Sequence, residues 1–189
     1  MAVLAAGACL AAGCGGGDDN AEAPTKSSTQ TRGTTGGNDT LQGASTRDVR
    51  AEARNTKTAL LTAVRAAQHD GYDRVVFEFR NTLPGYDVGY VERPITADTS
   101  GVKVQVKGGP VVQVVMRNAL DADLNGASVV RTYTGPNRFT PQTPEVAELV
   151  RTGAFEAVLT WVVGLNDRAD FRVLTLRDPP RLAVDFRSH

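Results

Sequence analysis

The chain reads as mainly all-β: a β-sandwich of short antiparallel strands with one short helix, preceded by a disordered tether. Three observations predict this. Apolar residues alternate with polar ones along DRVVFEFR (73–80), GVKVQVKG (101–108) and RLAVDFR (181–187), the period of two expected of a strand with one face in a core. Turn-forming clusters recur between such runs, at HDGYD (69–73), LPGYD (83–87), KGGP (107–110), TGPN (134–137), LNDRAD (165–170) and RDPPR (177–181). The stretch GGGDDNAEAPTKSSTQTRGTTGGNDT (15–40), by contrast, has almost no large apolar side chain, so it cannot bury enough surface to offset its ordering entropy.

In chain order, MAVLAAGACLAAG (1–13) is apolar or small throughout. It is shorter than the about 20 apolar residues a membrane-spanning helix needs, and suits the apolar region of an export signal. Ala11, Ala12 and Gly13 precede Cys14, an arrangement that resembles a bacterial lipoprotein signal. That resemblance implies a signal peptide over 1–14, lipidation of Cys14 and a membrane partner reached through a lipid anchor. The usual Leu is replaced by Ala11, and no Lys or Arg precedes the run; an ordinary cleaved signal, with a secreted product, is the alternative. The chain has two cysteines, Cys9 and Cys14. A chain cut before Cys14 would have no internal disulfide, and its domain would stand on its core alone.

Residues 15–56 are expected as a Gly/Ser/Thr/Asp-rich linker, and 57–189 as a single domain. TKTALLTAVRAAQ (56–68) is rich in helix-forming residues but is positioned to pair through HDGYD with the next run, so it is read as a strand. PVVQVVMR (110–117) and AFEAVLTWVVGL (154–165) are apolar enough for central strands. KGGP reads as a tight hairpin between two strands. TPEVAELVRTG (143–153) is the helix candidate: Thr143 to cap, Pro144 at the first position, Gly153 to stop.

Catalytic and metal chemistry find little support. Histidine occurs twice, as His69 in a polar turn, beside Asp70 in sequence only, and as His189; neither reads as the positioned imidazole of a triad, and two can hardly supply a zinc centre. Asp121, Asp123 and Asn125, followed by Gly126, match the first half of a calcium loop, but its twelfth position is Thr132 rather than Glu. An exposed acidic turn accounts for them better, so no metal and no cofactor are expected. Lys plus Arg and Asp plus Glu both number 21, which argues against nucleic acid as a partner.

The aromatics divide. Trp161 is in register with Phe155, Leu159, Val163 and Leu165 on a core face, and Tyr86 and Tyr90 share a face with Val88. Arg181 and Asp185 share a face of the last strand and suit a cross-strand charge row. Tyr133, Arg138 and Phe139 lie in the turn-rich RTYTGPNRF (131–139) and are the candidate ligand surface. Aromatic faces stack on sugars, and guanidinium groups grip carboxylates.

FRVLTLRDPPRLAVDF (171–186), a strand, a proline turn, then Arg, an apolar pair and Asp, resembles the closing hairpin of AMIN domains. GYDRVVFEF (71–79) with PGYDVGYV (84–91) resembles the opening of the AMIN-like domain of bacterial lipoproteins. The resemblance spans roughly 58–187. It implies a small β-sandwich that localises to the cell envelope or binds peptidoglycan and does not catalyse. A protein-interaction adaptor for an envelope enzyme or assembly, and a carrier of a small apolar ligand between the sheets, are the alternatives.

Overall fold

The structure is a computed structural model, and it describes residues 41–188. The expected signal peptide, Cys14, the linker as far as residue 40, and His189 lie outside the described residues. In chain order the strands are β1 (Val49–Ala51), β2 (Ala59–His69), β3 (Tyr72–Arg80), β4 (Gly85–Val91), β5 (Val111–Arg117), β6 (Ala119–Leu120), β7 (Ala122–Asp123), β8 (Val130–Arg131), β9 (Arg138–Phe139), β10 (Val146–Phe155), β11 (Val158–Leu165), β12 (Phe171–Leu176) and β13 (Arg181–Arg187).

They form a sandwich. One sheet runs β1-β4-β5-β11-β10-β9, the other β12-β13-β3-β2-β6, and β7 and β8 make a separate small hairpin. All pairings are antiparallel except β2 with β6. The alternation seen in the sequence builds the interior. Val75, Phe77 and Phe79 of β3 and Leu182, Val184 and Phe186 of β13 face Val112, Val114 and Met116 of β5 and Leu159, Trp161 and Val163 of β11 in one continuous core. Phe77 meets Trp161 edge-on across the two sheets, ring centroids 6.0 Å apart. The β2–β3 hairpin turns at Asp70–Gly71 as the DG signal predicts, with Gly71 at φ 78°.

The helix expected over 143–153 is a strand, β10. Val146, Leu149 and Val150 are spaced as on a helix face, but here Val146 and Leu149 enter the main core while Val150 packs on the opposite side of the sheet. Register shifts at Val146/Glu148 and at Arg151/Gly153 break the period of two, because a bulge inserts a residue that opposes no partner. Two bulges in one strand imitate helical spacing.

AFEAVLTWVVGL is likewise not one strand. Glu156 and Ala157, both at positive φ (47° and 58°), form a two-residue turn between β10 and β11. That backbone normally takes Asn or Gly, so the sequence carries no turn signal there. Phe155 falls at this turn and is 60% exposed, outside the core face expected for it.

GVKVQVKG is not a ladder strand, and KGGP is not a hairpin. Residues 92–110 cross the outer face of the six-stranded sheet, where Val106 and Val104 join Ile95, Val111, Val150 and Val162 in a second apolar cluster. Arg93 pins this crossing by donating to the carbonyls of Val106 (3.0 Å), Gly108 (2.9 Å) and Gly109 (3.0 Å). Gly108 has φ 88°, and a Cβ there would collide with the Leu165 carbonyl. The alternating valines therefore mark a covering segment whose inward residues seal a sheet face.

The expected linker also ends earlier than 56. Leu41 is buried, Ser45 exchanges backbone hydrogen bonds with Phe171 (3.0 Å each way), and β1 pairs with β4. The segment 41–51 thus touches an edge of both sheets. The fold needs few large side chains from it, so its polar composition conceals it.

Candidate functional site

Within the turn-rich 131–139 segment, Tyr133 turns inward. Tyr133 is 4% exposed, meets Trp161 edge-on at 5.9 Å, and donates its hydroxyl to the Pro136 carbonyl at 2.7 Å. Arg138 donates to the buried Glu148 carboxylate (2.7 Å) and to the Gln105 carbonyl (2.9 Å), while the Lys107 amide donates to the same Glu148 oxygen (3.0 Å). These bonds tie β9 and β10 to the covering segment 92–110. Phe139 packs against the main core. The three residues expected as a ligand surface all bond or pack within the fold: Tyr133 turns inward onto Trp161, while the Arg138 side chain stays 46% exposed.

The acidic turn is committed too. Asp121 accepts from Arg131 (3.1 Å) and Arg151 (2.6 Å). Asp123 accepts from Arg80 and from the Asn125 backbone and side-chain amides, each at 3.1 Å. These ion pairs hold the β7–β8 hairpin against the body of the sandwich. Among the described residues no group of three or more His, Cys, Asp or Glu is placed to hold a metal ion.

Of the expected cross-strand charge row, Asp185 takes part, with partners the sequence could not name, whereas Arg181 donates to the Pro179 carbonyl (3.3 Å). On the outer face of the five-stranded sheet, Asp185 of β13 lies between its register partners Arg74 of β3 and Arg172 of β12. Arg74 grips it with two bonds (2.6 and 2.9 Å), and Arg172 adds two more to one oxygen (3.1 and 3.0 Å). The carboxylate is fully buried beneath the two guanidinium groups, and this bonding holds the Arg74 pKa above its ordinary value. Beside them Tyr72 stacks on His69, centroids 4.8 Å apart, and lies under Arg74. At the adjoining end, the buried Asp73 accepts the backbone N–H groups of Glu145 (2.6 Å) and Val146 (2.9 Å), fixing the entry to β10.

Two tyrosines carry a pH consequence. Burial pushes the Tyr90 and Tyr133 hydroxyls above the ordinary tyrosine value; at Tyr90 the Ala169 backbone N–H, which donates to the hydroxyl oxygen (3.0 Å), partly opposes this. The folded chain therefore holds these protons more tightly than the unfolded chain. Their contribution is complete below about pH 10 and is lost as pH rises from there through the raised values. Denaturant titrations at about pH 8 and about pH 11 are expected to show a fall in stability, smaller in Tyr133→Phe. An equal fall in that variant would contradict the assignment.

What the fold leaves open is a surface cleft of about 400 Å³ at one end of the sandwich. Three connections line it: the segment joining β1 to β2, the β3–β4 turn and the β12–β13 turn. Leu83, Pro84, Pro180 and Tyr86 give it an apolar wall, and Asn55, Asn81, Thr82 and Thr175 a polar one. Asn55 donates to the Thr82 hydroxyl at 2.7 Å, and the Phe79 amide donates to the Pro180 carbonyl at 2.8 Å, so the walls are tied together. Arg54, Arg177, Glu52 and Asp178 bring charge to the rim. The volume lies within the usual range for small-ligand sites, about 300–1,000 Å³. The sequence marks two walls, LPGYD and RDPPR, as turns. Its composition assigns the third to the linker, which hides Arg54 and Asn55.

No curated protein matches the chain, and no solved structure matches it. The model of the AMIN-like domain matches residues 59–188, from the first residue of β2 to just past β13, leaving β1 and the 41–58 segment outside the match. With more than half of its length covered, the chain belongs to the AMIN-like domain family.

Proposed function

We propose that this chain is an exported lipoprotein, tethered through Cys14, whose AMIN-like module binds the cell envelope, with peptidoglycan as the ligand, and catalyses no reaction. The observation that carries the reading is the family match over nearly all of the described fold, since AMIN-like domains point to an envelope-associated module. The sequence supports the tether: small residues ahead of Cys14, then a long polar stretch up to the packed segment at Leu41. The cleft supplies a surface for binding. A carrier role is disfavoured, because Trp161, Phe77, Phe79, Phe171 and Phe186 fill the space between the sheets.

A second reading, an adaptor that accepts a partner's strand, is favoured by β12. It lies at a sheet edge, where Ser45 bridges Phe171 and the stretch 172–176 has no strand on its outer side among the described residues, the kind of edge that strand addition uses. One experiment separates the two. The full chain is co-sedimented with isolated peptidoglycan at low and moderate salt. Saturable binding that survives moderate salt is the expected result. No binding by a chain shown to be folded would overturn the wall-binding reading and leave crosslinking for a protein partner as the next step.

A further inference from the structure

We propose that the end cleft binds a short zwitterionic peptide, its free carboxylate held between the guanidinium groups of Arg54 and Arg177 and its cationic group turned towards Glu52 and Asp178. The inference rests on the wall-binding reading and names which component of the wall is bound: the peptide rather than the sugar chain.

Three observations support it. First, the fold uses most of its arginines internally. Arg74 and Arg172 share Asp185, Arg131 and Arg151 share Asp121, Arg138 pairs with Glu148, and Arg93 grips backbone carbonyls. Arg54 and Arg177, like Arg47, Arg168 and Arg181, have no ion-pair partner among the described residues, and these two are the pair that lines one cleft. An arginine side chain presents a planar set of donors matched to a carboxylate, and two of them around one hollow make an acceptor for a ligand anion.

Second, the rim is balanced. Glu52 and Asp178 offset the two arginines, and neither carboxylate has an ion-pair partner among the described residues. A purely anionic ligand would meet repulsion from them, whereas a zwitterion meets both signs in kind. Third, the cleft is built to keep its shape. The Asn55–Thr82 and Phe79–Pro180 hydrogen bonds hold the three connections together, so little ordering is left for binding to oppose. Tyr86 and Leu83 offer apolar wall for a peptide's aliphatic carbons.

The test uses the full chain and two readouts. The first is calorimetric titration with the soluble stem peptide released from peptidoglycan, and with the same peptide after its carboxyl groups are amidated. The second is co-sedimentation with intact peptidoglycan. Binding of the free peptide is expected to weaken about tenfold in each of Arg54→Gln and Arg177→Gln, and on amidation. Both side chains are exposed, so the variants are expected to unfold at the wild-type denaturant midpoint, and a matching midpoint shows that any loss is local. Sedimentation that neither variant weakens and the peptide does not compete would overturn the peptide assignment and leave the wall-binding reading standing. Peptide binding without sedimentation would support the cleft assignment and overturn the wall-binding reading. Displacement of the peptide by inorganic phosphate at equal concentration would overturn the assignment in favour of a general anion site.

Discussion

Trp161→Ala is expected to remove about 4 kcal/mol of folding stability, the largest loss of any single substitution considered. Trp161 is fully buried in β11. Its ring meets Phe77 of the opposite sheet and Tyr133 of the β8–β9 connection, both edge-on. The residue therefore joins three regions of the fold that are far apart in sequence. Alanine would leave a cavity that the flanking strands cannot close, since both sheets are held at fixed spacing by their ladders. Urea unfolding followed by circular dichroism checks this: the midpoint should fall sharply while the slope stays constant. Trp161→Phe should recover much of the loss, and equal losses for the two variants would show that ring packing is not the cause.

Asp185→Ala ranks second, at about 3 kcal/mol. Removing the carboxylate leaves Arg74 and Arg172 facing each other across β13 with no counter-charge between them. Their side chains are 21% and 22% exposed, so they recover some of their hydration, which places the loss at the lower end of that known for broken buried pairs. Trp161, the one tryptophan of the chain, reports this unfolding by its own fluorescence. Double variants with Arg74 or Arg172 should show strong non-additivity, because all three groups share one network. Strict additivity would mean that the three do not act together.

Legibility in the sequence follows burial geometry. β3 and β13 each have one face in the core and one turned outward, so their apolar residues fall at every second position and their bounds can be read almost to the residue. β10 reads as a helix because both of its faces are covered and two bulges shift its phase. Residues 101–108 mislead for the converse reason: their alternation is real, but the face they seal belongs to a sheet whose strands lie elsewhere in the chain. The candidate site is less legible still. Nothing local distinguishes Tyr133, whose ring enters the core, from an exposed tyrosine of a turn. Nor does anything local reveal that Arg138 meets Glu148 ten residues later while Arg177 meets no acid at all among the described residues. Pairing of charges is decided by strand register, which a single sequence does not contain.

The segment 41–51 carries a consequence for how the domain bears load. Any pull on the chain ahead of Leu41 reaches the sandwich through the Ser45–Phe171 pairing and the short β1, before it reaches β2 or the strands behind it. These bonds lie at sheet edges, so they can break in succession instead of yielding together. The first response to tension would be extension of the 41–58 stretch, with the matched domain from residue 59 onward still folded. Under force the segment would act as a mechanical fuse, adding reach and sparing the core.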